Sequence, residues 1–487
     1  MQNRQLCVSL SCVLLCILLV LGVSLTIVLP IVSRREIAKR IALRNGSEIY
    51  AAWLSPPGEV YMQFFLFSTT NPLEFIRGER PILQQQGPFT YHQRQERVNV
   101  SLDPENGTVS YSNRKFYVFD RNLSSADENT TITTLNLAYI SVAEKSQQFP
   151  TMVSFIMRIL ELYYNENLFV NKTAKELIWG YKDPVLEIVR KLIPVQTEIG
   201  LFAGKNGTED GTYVIRDGTG DPEELGQIMS YRNASSVSCW LTNWANMING
   251  SDGSLIPPFR SQYDKLYLFA ADVCRSFAFT AQGSSLMREI PTIVFKPPRD
   301  SFLSPDLNPD NAGFCLDYPN CPKSGVINMS TCLSGAPVVI SLPHFYQADE
   351  SYQTAVIGLH PTEDMTTQLD VEPHTGIILK AKKQLQVNGV VRRNDEFPSL
   401  RHVHDTFFPI GYFNESFIIP EDIAAKLSNS LLPLLIAKII AVCLVALPSV
   451  GLGILLLVFL LRRQPVTELV LSVSEPNDQT PLIPDTA

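Results

Sequence analysis

Histidine is scarce in this chain: six occur in 487 residues, and none lies between His92 and His344. That span therefore lacks the side chain that titrates most readily near neutral pH and most often binds metals. Catalytic signatures are missing as well. There is no Gly-x-Ser-x-Gly elbow, no His-Glu-x-x-His pair and no phosphate loop, so the sequence offers no grounds for a serine hydrolase, a zinc protease or a nucleotide enzyme. Lys and Arg number 40 against 48 Asp and Glu, a formal charge of −8, which excludes a nucleic-acid footprint. No internal repeat, heptad array or low-complexity tract is visible. Charge itself is absent from Leu6 to Val32, and Lys438 is the only charge from Leu431 to Leu461.

Both stretches exceed the roughly 20 apolar residues that cross a bilayer as a helix. The first is too long for a signal-peptide core of about 7–15 residues and is read as retained. Lys438 sits near one end of the second stretch, where its stem can snorkel to the headgroups. Pro448, Gly451 and Gly453 suit a bent membrane helix.

Between these stretches lie eleven N-glycosylation sequons, at Asn45, Asn99, Asn106, Asn122, Asn129, Asn171, Asn206, Asn233, Asn249, Asn328 and Asn414, and none lies outside them. Sugar acceptors face the secretory lumen, so the middle is expected to be lumenal and both termini cytosolic. Arg462 and Arg463 mark a cytosolic end as the positive-inside rule requires. Arg34, Arg35, Lys39 and Arg40 outnumber Arg4 across the first helix and oppose it; eleven acceptors outweigh that bias. The expected division is a cytosolic N-terminus over 1–5, a membrane helix over 6–32, a glycosylated lumenal ectodomain over 33–430, a second membrane helix over 431–461 and a cytosolic tail over 462–487.

Cys7, Cys12, Cys16 and Cys443 fall in or beside the membrane, with Cys7 a palmitoylation candidate or an apolar filler. Cys239, Cys274, Cys315, Cys321 and Cys332 are lumenal, where disulfides persist. Five is odd, so at least one is free or pairs between chains, which leaves a homodimer open. Cys315 and Cys321 enclose a loop short enough to close on itself. A zinc site there is disfavoured by its spacing and by the lack of a nearby histidine, and no metal or cofactor is expected.

Val60–Phe67, Val338–Leu342, Ile377–Lys380 and Leu385–Val391 are β-branched or aromatic runs that read as buried strands between Pro/Gly/Asn turns. Residues 150–194 read as three helices. Met152, Phe155, Ile156, Ile159, Leu160 and Tyr163 form one apolar stripe, and Val153, Met157 and Leu162 lie off it. Such a helix is apolar nearly all round: it packs in a helical cluster or presents one face to a partner. Thr173-Ala-Lys-Glu176 is a capping box for the second helix, ending near Gly180. Asp183-Pro184 opens the third, which Pro194 stops. His402 and His404 would share a face on a strand but are too few for a metal. Asp210-Gly211 and Asp217–Asp221 read as turns of an acidic Gly-rich loop that fails the calcium spacing. The Pro-rich tail reads as disordered and holds an acidic dileucine pattern, Asp478 four residues before Leu482-Ile483, which clathrin adaptors could bind.

The chain resembles the class B scavenger receptor family. The resemblance rests on Leu43-Arg-Asn-Gly-Ser47, Thr70-Asn-Pro72, Gly87-Pro-Phe-Thr-Tyr91, Trp179-Gly-Tyr-Lys-Asp183, Met247-Ile-Asn-Gly-Ser-Asp252, Asn311-Ala-Gly-Phe-Cys315, Pro343-His-Phe-Tyr-Gln-Ala-Asp349 and Thr375-Gly-Ile-Ile-Leu-Lys380, and the dileucine tail favours its lysosomal branch. It implies an α+β, two-pass membrane protein with a lumenal antiparallel β-barrel-like ectodomain. A three-helix bundle at 150–194 would cap it and a lipid tunnel would run through it. It further implies disulfides Cys274–Cys332 and Cys315–Cys321, binding of cholesterol and anionic phospholipids, and delivery of a hydrolase of the β-glucocerebrosidase kind docked on the apical helices, not catalysis. Two departures stand out. The family's cysteine before Met-Ile-Asn-Gly is replaced by Ala245-Asn246, with Cys239 earlier and read as a free thiol. The apical histidine of the lysosomal branch is missing near Phe149–Thr151, so acid release there must use Glu161, Glu166 or the cargo's own groups.

Overall fold

The computed structural model describes residues 2–146, 167–191 and 197–463. The chain forms two compact units, Met1–Ser33 with Leu431–Ala487 and Arg34–Ser430.

The first unit pairs two apolar helices. The N-terminal helix runs Gln2–Ile41 and the C-terminal helix Glu421–Arg463, each long and apolar enough to cross a membrane. Leu10, Ile17, Val20, Leu447 and Val450 stand more than half exposed, as side chains facing lipid would. The helices meet where side chains are smallest. A Cβ on Gly22 would sit 2.7 Å from the Leu444 backbone, and Ala441 is buried. In lipid, close backbone approach at small residues is what lets helices associate.

The second unit is built on strands β1 (Val60–Thr69), β2 (Leu83–Asp103), β3 (Thr108–Phe119), β4 (Thr131–Leu135), β5 (Phe169–Thr173), β6 (Tyr181–Lys182), β7 (Glu198–Ile199), β8 (Glu209–Arg216), β9 (Ile228–Tyr231), β10 (Lys265–Ala270), β11 (Arg275–Met287), β12 (Ile290–Lys296), β13 (Val326–Asn328), β14 (Val338–Ser341), β15 (Gln368–Val371), β16 (Ile378–Val391) and β17 (Thr406–Ile418). Thirteen of them form one antiparallel sheet, in the order β10-β11-β12-β15-β16-β17-β1-β2-β3-β8-β9, with β14 on β16 and β13 on β14. The remaining four form two small hairpin-like pairs, β4-β5 and β6-β7.

The continuous apolar run of β1 has a direct cause. Met62, Phe64 and Leu66 enter one core, while Phe67 enters another on the opposite face with Phe65 packed against it. Both faces of the strand are covered, so it does not alternate with polar residues. The runs 377–380 and 385–391, expected as two strands, are one, β16. The charged stretch between them looks like a break only because its lysines have interior or local partners. Lys383 meets Asp272, and Lys382 bonds the Asp364 carbonyl.

The second and third expected helices are present as Ala174–Trp179 and Pro184–Val189. Thr173 and Glu176 cap the former reciprocally, and Ala174, Leu177 and Ile178 bury into the core. The first expected helix, with Met152, Phe155, Ile156, Ile159, Leu160 and Tyr163, lies outside the described residues, as does the tail with Asp478, Leu482 and Ile483.

Candidate functional site

The register of the central strands fixes which side chains share a face. Lys383 pairs with Glu415, Met62 with both Glu415 and Tyr91, and Gln93 with Tyr117. Side chains alternate with period two, so Lys115, Tyr117, Gln93, Tyr91, Phe64, Met62, Phe413, Glu415 and Lys383 all lie on one side. Across that side Lys115 Nζ donates to Glu415 Oε1 at 2.9 Å and Gln93 Nε2 donates to the same oxygen at 2.7 Å. Lys115 is on β3 and Glu415 on β17, three strand spacings of about 4.8 Å apart. Their side chains meet only because the sheet curls with this face concave.

The network continues beyond the central strands. Lys383 Nζ lies 3.5 Å from Asp272 Oδ2, and Lys205 Nζ lies 3.2 Å from Asp272 Oδ1. Asp272 sits in the turn between β10 and β11, so these bonds tie distant parts of the sheet together. Three ammonium groups thus face two carboxylates. Burial pushes the Glu415 carboxyl up, but Lys115 and Lys383 outweigh it and hold it at about 2. Asp272 is likewise held well below the usual range: Lys383, Lys205 and Lys115 override its burial. Burial also opposes the Lys115 ammonium, and Glu415, Tyr117 and Asp272 more than restore it. Glu415 keeps 18% of its side-chain surface and Asp272 49%, so the space they border admits water.

Beside the ions stands an aromatic wall. Trp179 meets Tyr117 at 4.8 Å, Tyr91 at 5.0 Å and Phe64 at 5.9 Å, and Phe202 meets Phe64 at 5.0 Å and Phe413 at 5.2 Å. The concave face is therefore amphipathic, with a net positive polar cluster next to rings. Sequence reading missed it, because its members come from segments scattered from Met62 to Glu415.

The two ends of the main strand path, β9 and β10, share one connector. Ile228 of β9 donates to the Gly250 carbonyl, Ser251 donates to the Tyr267 carbonyl of β10, and Phe269 donates back to the Ser251 carbonyl. Gly250 has φ +77, and a Cβ there would overlap the Tyr267 carbonyl oxygen at 1.6 Å.

Asn45, Asn99, Asn106, Asn122, Asn129, Asn171, Asn206 and Asn233 are exposed, and Asn249, Asn328 and Asn414 are half-buried. Cys274 bonds Cys332 and Cys315 bonds Cys321. Cys239 is unpaired and half-buried, and its sulfur lies within 4.8 Å of those of Cys274 and Cys332. Burial pushes its thiol pKa up, so it is held as the thiol. His402 and His404 lie in a loop before β17 and not on a strand. Asp210 and Gly211 belong to β8, where Asp210 accepts from Asn113, while Asp217–Asp221 is a turn.

His344 was not singled out by sequence. It is buried, with φ +53. Its Nδ1 accepts from the His360 backbone N–H, so Nε2 carries the proton and donates to Gln85 Oε1 at 2.9 Å. Burial, helped by His360, lowers its pKa to about 4, which keeps it neutral in mild acid.

Residues 12–461 match the model of the CD36 family. The chain is 38% identical to Lysosome membrane protein 2 of Homo sapiens over 422 residues, 85% of this chain and 87% of that protein. It is 29% identical to Scavenger receptor class B member 1 of Sus scrofa over 420 residues, covering 85% and 81%.

Proposed function

This chain belongs to the CD36 family, and from that premise we propose that it is a lysosomal membrane receptor that delivers a lumenal hydrolase and binds or conducts lipid. The observation that carries the reading is the likeness to Lysosome membrane protein 2 over 85% of the chain. In this reading both termini are cytosolic and Arg34–Ser430 is lumenal, with the sequons on that side. The hydrolase, of the β-glucocerebrosidase kind, docks on the stripe Met152, Phe155, Ile156, Ile159, Leu160 and Tyr163. Adaptors bind Asp478, Leu482 and Ile483.

The concave face supports the lipid half of the reading. A wet cationic cluster beside an aromatic wall suits an amphipathic molecule with an anionic or neutral polar head, such as a phospholipid or cholesterol. The connector at Gly250–Ser251, bonded to β9 and β10, supports a barrel-like closure around that space. A second reading, a cell-surface scavenger receptor for lipid uptake, is favoured by the likeness to Scavenger receptor class B member 1.

Imaging of the tagged full-length protein beside the Leu482→Ala, Ile483→Ala variant separates the two. A lysosomal wild type with the variant at the cell surface is expected. A wild type already at the surface and unmoved by the substitutions would refute the lysosomal reading. For cargo, Ile156→Asp with Leu160→Asp should abolish hydrolase capture, and undiminished capture by a folded variant would remove that surface from the proposal.

A further inference from the structure

Arg275 opens β11 directly after Cys274, and only 6% of it is exposed. Its guanidinium carbon lies 3.5 Å from the centroid of the Phe314 ring and 5.0 Å from that of Phe277. Nη2 donates to Asn311 Oδ1 at 3.2 Å, and Nε is buried without an acceptor. Among the described residues no carboxylate pairs with it. Guanidinium groups do not lose their charge readily. Burial lowers this one to about 9, so it remains a cation at neutral pH and in acid. A buried charge without a counter-charge is among the costliest groups a fold can hold. The two rings soften that cost by cation–π attraction, but they accept none of its N–H bonds.

Beside the guanidinium is a cavity of about 30 Å³, bounded also by Ser301, Ser304, Asn311 and Phe314. Its polar wall is made of donors. The Ser304 hydroxyl accepts from Ser324 and keeps its own proton to give, and Ser301 has a hydroxyl with no acceptor among the described residues. The Asn311 amide nitrogen is committed to the Asp300 and Leu303 carbonyls, and its oxygen to Arg275. Lys323, at the rim, is committed to Asp349 and Ser351. A water molecule would satisfy hydrogen bonds here but not the charge.

We propose that this cavity is a binding site for a halide-sized anion, chloride being its natural class, held by the Arg275 guanidinium and the hydroxyls of Ser301 and Ser304. The space accepts a group of water-to-halide size with room to spare, since one water needs roughly 10–15 Å³ on the same measure. The proposal does not depend on the lipid or hydrolase reading. It makes the fold around Cys274 and Cys315 sensitive to the halide content of the compartment.

The test uses the full-length protein in detergent, with sodium chloride, sodium bromide and sodium gluconate at equal ionic strength. Gluconate serves as the reference anion. The melting temperature should be higher in either halide than in gluconate and should rise with the logarithm of halide concentration once the site fills. Chloride-35 resonances should broaden with the protein and narrow again on adding bromide. Arg275→Gln should lose at least nine-tenths of the excess broadening. Crystals grown in bromide should show an anomalous peak within hydrogen-bond distance of Arg275. A wild-type map without that peak overturns the site, and so does broadening that Arg275→Gln leaves intact. The wild-type bromide map decides the question even if the variant fails to fold.

Discussion

Neutralising Glu415 is the most searching perturbation of the interior network. Glu415 Oε1 receives Lys115 at 2.9 Å and Gln93 at 2.7 Å, and Lys383 stands opposite it in the ladder. Glu415→Gln leaves Lys115 with no anion at bonding distance inside the curled sheet. Removing one member of a buried pair costs about 3–5 kcal/mol; because water reaches both groups, we expect the low end, about 3 kcal/mol. The direction with pH follows from the depressed Glu415 pKa. Its stabilising contribution is fully present above the ordinary carboxylate range and is lost only as pH falls toward about 2. The pair should therefore be equally strong at pH 7 and pH 5. Urea unfolding of the full-length protein in detergent, followed by tryptophan fluorescence, measures both effects, since Trp179 borders the network. The midpoint should fall with an unchanged slope. Lys115→Met with Glu415→Leu should recover most of the loss, because neither member of the pair is then left without the other. A Glu415→Gln protein within about 0.5 kcal/mol of wild type, or a double variant as unstable as the two single changes summed, would refute the account of the network.

Three further outcomes can be checked. His344, with its pKa lowered from 6.5 to about 4, stabilises the fold above the unfolded value. That contribution should fall by about 1.4 kcal/mol per pH unit as pH drops from 6.5 toward 4, and His344→Asn should flatten the slope; identical pH profiles for the two proteins would contradict its buried neutral state. Gly250→Ala forces a Cβ into the Tyr267 carbonyl at a positive φ. It should sharply lower the yield of folded full-length protein, and a wild-type yield would show that the connector can shift. Cys332→Ser frees Cys274 beside Cys239, whose sulfur lies within 4.8 Å of it. Peptide mapping should find a Cys239–Cys274 bridge, and two alkylatable thiols would show that the sulfurs cannot meet.

Several elements were legible because they depend on neighbours in sequence. The terminal apolar helices need only a run without charge, and the Thr173–Glu176 capping box needs only residues three apart. Val60–Phe67 was readable as a strand from its composition. The division of Ile378–Val391 into two strands failed because Lys382 and Lys383 look like a loop until their partners, Asp364 and Asp272, are in place. His402 and His404, which would share a face on a strand, lie in the loop before β17, which starts at Thr406.

Composition and short spacing alone set the apolar anchors, the sequon-bearing segment between them, the odd cysteine count of that segment and the lack of histidine between His92 and His344. Only the folded arrangement shows that Lys115, Glu415, Lys383, Asp272 and Lys205 form one network, that Cys239 lies beside the Cys274–Cys332 bridge, and that Arg275 is buried against Phe314 with no carboxylate on it among the described residues. The physical reason is the curl of the antiparallel sheet. Curvature brings side chains from strands far apart in sequence onto one concave face, and no local pattern of residues encodes which charges will meet there.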